Sequence, residues 1–414
     1  MELTRSGLHY VFAIFTLLSV ASAQTFLEAI SQYPQLANFT ELMTNNPGLA
    51  GALLTSNATS LTRTTVLVPD NSAFDKLQRL LGVPVGSLSV SQLEPVLSYH
   101  ILVNELTTDN FTVANGTTEP TFLTGPLYNN RSAGDALGSS GAEGDPKNGQ
   151  VVFIEAKDEP NAARRFTVRQ LPQPDVEVQG GLGHIINLTS VNGAWDGGVF
   201  QIVDNFLDLP LNCTDTIRRW KMFGFSSSLS RTGLGAPLDI TRNVTCLTPN
   251  DDAFKAAGSP NVTASIFDLQ QLTLFHIIDQ PLYTNFLEDG QEYITFSNQT
   301  VRVTIRDGAI FVNDAKIIHS NVMTNNGVMH VLDKFMTPLD QDRNSTTSSS
   351  TRTASSTTSS TGGPSALPQP STSTTSSASA ATASASSVAG TPSKLLSQAS
   401  WSLGFLGLIA GFLL

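Results

Sequence analysis

Three histidines in the last third of the chain, His276, His319 and His330, carry the imidazole nitrogens that hold zinc. The adjacent carboxylates Asp251-Asp252 are the residue type that glycosidases use in pairs, one protonating a leaving group and one activating water. Each group has a plainer use. The histidines lack a short ligand spacing such as HExxH, which would set two nitrogens on one face of a helix. The two aspartates stand between a Pro and an Ala-Phe pair, where a helix begins and carboxylate oxygens accept its free N–H groups. The chain contains no GxSxG elbow, no GxGxxG or Walker loop and no CxxC. Its two cysteines, Cys213 and Cys246, therefore point to one disulfide in an oxidising compartment rather than to a metal pair or a reactive thiol. Neither a metal nor a cofactor is expected.

These residues sit in a repeat. TVLVPDNSAF at Thr65–Phe74 returns as TCLTPNDDAF at Thr245–Phe254, with five of ten positions identical. Downstream of each copy stands a His-Ile pair, Tyr99-His100-Ile101 and Phe275-His276-Ile277. Each copy closes on a similar strip before a Pro, Gly198–Pro210 and Gly327–Pro338. The same landmarks in the same order mean two copies of one domain.

Within a copy, Val66–Val68 and Cys246-Leu247 read as short buried strands stopped by Pro69 and Pro249. A helix follows from Asp, Asn and Ser residues, with Phe74, Leu77 and Leu81 at helical spacing and Gly82 as its stop. Ser91 with Glu94, and Ser265 with Asp268, have capping-box spacing for the next helix. On that helix His100 shares a face with Leu93, Val96 and Leu97, and His276 shares one with Leu269 and Leu272, so both histidines are expected to point inward. Val301, Val303 and Ile305 alternate with polar residues, and Asp307-Gly308 marks a hairpin to Ala309–Val312. Val328–Lys334 supplies a last strand. Helices early and strands late predict an α+β fold rather than alternating βαβ units. From His100 to Val199 the first copy spans 99 residues, against 52 from His276 to Val328. The Gly-, Asn- and Ser-rich run Gly125–Gly149 marks part of this excess as a long loop.

The flanks carry processing patterns. Arg5 and His9 precede an apolar run from Tyr10 to Val20, and Ala21-Ser22-Ala23 offers small residues for cleavage, which predicts a signal peptide over 1–23. At the other end, small residues at Ser386–Thr391, a polar spacer and the apolar stretch Trp401–Leu414 fit a glycolipid (GPI) anchor signal over 392–414. Gly390 is the expected attachment residue, with Ala389 and Ser387 as alternatives. Residues 341–391 are mostly Ser, Thr and Ala, too poor in apolar surface to fold, and read as a disordered, O-glycosylated stalk. At roughly 3.3 Å per residue it would reach about 150 Å. Asn-x-Ser/Thr sequons stand at Asn38, Asn57, Asn110, Asn115, Asn130, Asn187, Asn212, Asn243, Asn261, Asn298 and Asn344. A net charge of −11 lacks the basic footprint that nucleic acid requires.

At its shared strips the chain resembles the fasciclin family, whose domains open on a strand–Pro–Asn–x–Ala–Phe motif, carry an internal Tyr-His and end on Asn-Gly-x-x-His-x-x-Asp. The matching positions are Asn71 and Phe74 with Tyr99-His100 in the first copy, and Phe254, His276, His330 and Asp333 in the second. The first copy has Gln201 where the second has His330, and Gly197-Gly198 for Asn326-Gly327. The second has Phe275 in place of the tyrosine and Asp251-Asp252 where the first has Asn71-Ser72. The resemblance implies two tandem β-wedge domains with packed helices, over 24–210 (with a long insertion around 125–180) and 211–340. It also implies a non-catalytic surface protein of the fungal glycoprotein type that makes adhesive contacts with a wall or matrix glycan or protein, or with a neighbouring cell, and a binding role for Tyr99 and His100. The expected location is the extracellular face of the plasma membrane or the cell wall. The competing readings are a surface-tethered carbohydrate-active enzyme and a lipid-binding module.

Overall fold

The computed structural model describes residues 24–54, 63–111, 113–125, 127–128, 134–138, 146–157 and 175–338. The expected signal peptide, stalk, anchor signal and attachment residue lie outside the described residues, as do Asn57, Asn130, Asn344 and much of the Gly125–Gly149 run.

The first repeat places helices α1 (Phe26–Ser31), α2 (Ala37–Asn45) and α3 (Pro47–Leu54) before strand β1 (Thr64–Pro69). Helices α4 (Asn71–Leu81) and α5 (Val90–Tyr99), strand β2 (Ile101–Leu102) and helix α6 (Thr108–Phe111) follow. The remaining strands are β3 (Thr117–Pro120), β4 (Val151–Lys157), β5 (Asp175–Gln179), β6 (Ile185–Trp195) and β7 (Gly198–Val203). The second repeat runs through α7 (Cys213–Arg219), α8 (Phe223–Thr232), α9 (Gly235–Ile240), β8 (Val244–Pro249), α10 (Asp251–Ala256), α11 (Pro260–Thr263) and α12 (Ile266–Phe275). It closes with β9 (Ile277–Ile278), β10 (Glu292–Ile294), β11 (Thr300–Arg306), β12 (Ala309–Val312), β13 (Ala315–Thr324) and β14 (Gly327–Leu332).

The two sheets have one topology. Their orders are β3-β4-β5-β6-β7-β1-β2 and β10-β11-β12-β13-β14-β8-β9. In each, the opening strand pairs in parallel with the last strand, Thr64 opposite Gly198 and Val244 opposite Gly327, while the other pairs are antiparallel. Single bridges, Leu102 to Thr121 and Ile278 to Thr295, draw the two ends of each sheet together. This is the α+β wedge that the resemblance implies.

The opening strands are central, which is why they read as continuous apolar runs: all six residues of β1 and of β8 are buried. Alternation along β1 sends Val66 and Val68 toward the helices, with Phe39, Phe74 and Phe200, and Leu67 into the sheet interior, with Ile154, Val178 and Val203. On β8, Val244 and Cys246 join the helix side and Leu247 the interior.

Asp70 and Asn250 cap α4 and α10, each accepting a hydrogen bond from the N–H three residues on, at 2.9 and 2.8 Å. Gly82 ends α4 in the left-handed region at φ 70°. The capping box of α5 is not Ser91 with Glu94. Ser89 is the extended N-cap residue, and the Gln92 side chain reaches back to its N–H at 2.9 Å. The 3-10 turn at Val85–Ser87 delivers the chain to Ser89 two residues earlier than serine spacing alone indicated. At α12 the expected cap holds, with the Ser265 hydroxyl accepting from the Asp268 N–H at 3.1 Å.

The unequal lengths of the repeats sit in two loops. Residues 121–150 join β3 to β4 where residues 295–299 suffice between β10 and β11. Residues 158–174 join β4 to β5 where the Asp307-Gly308 turn joins β11 to β12. The span expected as one long insertion therefore also contributes two sheet strands, β4 and β5.

Candidate functional site

The motif residues of the two repeats form the same node twice. His100 Nδ1–H donates to Val96 O at 2.7 Å while Nε2 accepts the Leu207 N–H at 3.0 Å. His276 repeats this with Leu272 O at 2.8 Å and the Met336 N–H at 3.0 Å. Each imidazole thus ties the end of a helix to the segment after the last strand. One nitrogen donates and the other accepts, a pattern only the neutral ring provides. Burial pushes both pKa values down to about 4 against the donation to Val96 or Leu272, in keeping with that neutral state. Around them pack matching aromatic sets, Phe39–Phe74–Phe206 beside His100 and Phe225–Phe254–Phe335 beside His276.

The departures between repeats are explained by the same node. His330 Nε2–H donates to Leu282 O at 2.7 Å, and Gln201 Nε2 donates to the corresponding carbonyl, Leu106 O, at 3.0 Å. Glutamine there does the work of histidine. Asn71 Oδ1 accepts the Asn38 N–H at 3.0 Å, and Asp251 Oδ1 accepts the Gly224 N–H at 2.8 Å, each holding the second helix of its repeat against the helix after the opening strand. Asp333 accepts the Lys316 N–H at 2.7 Å as Asp204 accepts that of Asn187 at 2.8 Å. Thr65 and Thr245 complete the set. Each hydroxyl donates to a loop carbonyl (Asn104 O, Gln280 O) and accepts a loop N–H (Leu106, Leu282).

Tyr99 and His100, the residues to which the resemblance assigns binding, are 0% and 1% exposed. The Tyr99 hydroxyl donates to Val151 O at 2.9 Å, and burial raises its pKa. Neither side chain is presented to a partner in this structure. Phe275 fills the corresponding place in the second repeat, buried and without a hydroxyl to satisfy.

The other chemical groups do not converge. His276 and His330 are buried in their own hydrogen bonds, while His319 is exposed with its ring centroid 5.2 Å from that of Trp220. Asp252 is exposed and pairs with Lys255 at 3.1 Å. Among the described residues no group of three or more His, Cys, Asp or Glu is arranged to hold a metal ion. Cys213 and Cys246 are bonded, joining the first turn of α7 to the middle of β8.

The two repeats meet along a packed surface. Val151 and Phe153 of β4 share one apolar cluster with Tyr283, Met323 and Val328. Gly181 forms a parallel bridge with Met323. Trp220 Nε1–H donates to Leu182 O at 2.9 Å, Gln150 to Asn325 O at 2.8 Å and Gln179 to Ser320 O at 3.0 Å. Tyr99 sits behind this surface through Val151, a role its sequence position did not reveal. Two hollows are notable. One, beside α4 and α5, is apolar and lined by Leu77, Leu81, Leu88, Val96 and Phe206. The other is formed mainly by the second repeat, with Asn243, Gln280, Phe286, Gln291 and Tyr293, and is bordered by Gly134 and Ala136 of the first, around about 770 Å³ of empty space including its mouth.

Of the sequons within the described residues, Asn110, Asn115 and Asn298 are exposed, while Asn38, Asn187, Asn212, Asn243 and Asn261 are half-buried. The Asn187 amide nitrogen donates to Asp204 at 3.1 Å, and Asn212 Oδ1 caps α7 by accepting the Asp215 N–H at 2.7 Å.

The chain is 23% identical over 335 residues to a fasciclin-like arabinogalactan protein of Arthroderma benhamiae, covering 80% of this chain and 70% of that one. It is 24% identical over 327 residues to the fasciclin-like arabinogalactan protein elcF of Phaeosphaeria nodorum, covering 78% and 92%. Human periostin is 31% identical over 121 residues, 28% of this chain and 14% of periostin. Among solved structures, a FAS1 domain pair from the insect cell adhesion molecule Fasciclin I aligns over 74% of this chain and 96% of that one, at 17% identity and a TM-score of 0.32. Residues 34–157 and 221–338, more than half of the chain, match the Fasciclin domain, and the chain belongs to the fasciclin domain family.

Proposed function

We propose that this protein is a non-catalytic adhesion module. Its two fasciclin domains make contacts with a cell-wall or matrix glycan or protein, or with a neighbouring cell surface, from a glycosylated stalk anchored by glycolipid to the outer face of the plasma membrane. The observation that carries this reading is where the shared motif side chains go. Histidines, threonines, the Gln201 amide and the capping acids are all spent on backbone partners inside each wedge. What remains for function is the outward surface of two packed domains. Weak contacts made by many such bodies on one cell add through effective concentration. The fungal relatives are fasciclin-like arabinogalactan proteins, which supports a carbohydrate-bearing surface protein as the setting.

The apolar hollow beside α4 and α5 favours a second reading, a site for an acyl chain. Three experiments test these readings. Deleting either repeat should lower the attachment of cells displaying the protein, and phospholipase C specific for glycolipid anchors should release it. An attachment level unmoved by loss of both repeats, together with saturable uptake of a fluorescent fatty acid that Leu88→Trp blocks, would favour the lipid site instead.

A further inference from the structure

The sequon at Asn243 differs from the others in its surroundings. Asn243 lies just before β8 in the left-handed region at φ 57°. Its side chain makes no hydrogen bond among the described residues, whereas those of Asn187 and Asn212 are engaged. It lines the second hollow, a cleft of the second repeat bordered by the first, together with a narrower hollow bordered by Gln150, Asn325 and Gly327. The cleft walls present Phe286, which is 38% exposed, and half-buried Tyr293, with the exposed groups of Asp279 and Gln280. Aromatic faces for sugar C–H groups, and carboxylate and amide groups for hydroxyls, are the chemistry of a saccharide site. The cavity itself holds about 300 Å³, at the lower end of the roughly 300–1,000 Å³ of small-ligand pockets.

We propose that Asn243 carries an N-linked glycan whose first sugars lie in this cleft. The inference rests on the reading of the protein as secreted. In the reaction, the Asn243 amide nitrogen bonds to the anomeric carbon of a lipid-pyrophosphate-linked oligosaccharide. The sugar–phosphate bond breaks, lipid pyrophosphate leaves, and the nitrogen loses one proton. Transfer has to precede folding, because the sequon's Thr245 is 0% exposed and its hydroxyl is bonded to Gln280 O and the Leu282 N–H. Folding then seats the sugars in the cleft.

The test is glycopeptide mass spectrometry of the secreted full chain before and after peptide-N-glycosidase treatment, native and denatured. The Asn298 glycan, on an exposed turn, serves as the internal reference. The expected result is an occupied Asn243 whose glycan is released on the order of tenfold or more slowly than that of Asn298 in the native protein, since the enzyme waits for the cleft to open. Denaturation should abolish the difference, and Phe286→Ala should shrink it. Equal release rates in the native protein overturn the proposal. So does a bare Asn243 beside an occupied Asn298, whether or not the empty cleft then binds added chitobiose. Absence of glycan at every sequon overturns the secretory reading as well.

Discussion

Gln201 and His330 are equivalent side chains in the two repeats, each donating to one loop carbonyl. Gln201→His should change stability by no more than about 1 kcal/mol. Gln201→Leu leaves the buried Leu106 carbonyl unpaired and should cost about 1–3 kcal/mol in urea unfolding. The buried histidines also set a pH dependence. His100, His276 and His330 are held near 4 by burial, below the ordinary 6.5 that the unfolded chain retains. Between those values the unfolded state binds more protons, so stability should fall as pH drops from 6.5 toward 4. His330→Gln should flatten the fall by removing one of the three groups, and melting temperatures across that window check it. An unchanged slope in the variant would assign the acid sensitivity elsewhere.

Among the elements, the parallel pair that closes each wedge rests on one glycine. Gly198 and Gly327 adopt φ of 151° and 153°, and a Cβ on either would stand 1.9 Å from a backbone oxygen of the opposing strand, Thr64 O or Val244 O. Gly327→Ala should therefore destabilise the protein by about 3 kcal/mol or more, seen as an earlier midpoint in urea unfolding. The Cys213–Cys246 bond adds support to the same repeat, worth about 3–4 kcal/mol for a loop of this size on the chain-entropy view. Much of this level was legible beforehand. The buried opening strands, the helix after each Pro and the Asp307-Gly308 hairpin follow from local pattern, because apolar runs and turn residues act over a few neighbours. Long-range partners were not legible. Gln201 reads as a departure from a motif until Leu106 is seen beside it, 95 residues away in the chain. Tyr99 reads as a contact residue until its hydroxyl is found on Val151. Strands β4 and β5 were hidden because the loops flanking them outweigh them in composition.

For the molecule as a whole, the surface between the repeats decides whether they act as one body. It combines the Val151–Phe153–Tyr283–Met323–Val328 cluster with hydrogen bonds from Trp220 and Gln150. The described residues should thus melt in one transition, and Trp220→Ala combined with Gln150→Ala should split it into two by calorimetry. Such coupling would suit the proposed adhesion, since two fixed faces lose less freedom on contact than two independent ones. Adhesion and catalysis separate in one assay, in which purified residues 24–338 meet immobilised wall polysaccharides and matrix proteins and both retention and released products are scored. A non-catalytic adhesion module should give retention that strengthens as the protein is immobilised more densely, with no new reducing ends or cleaved fragments. Sustained turnover of any polymer, lost on substitution of a single Asp or Glu, would contradict that reading.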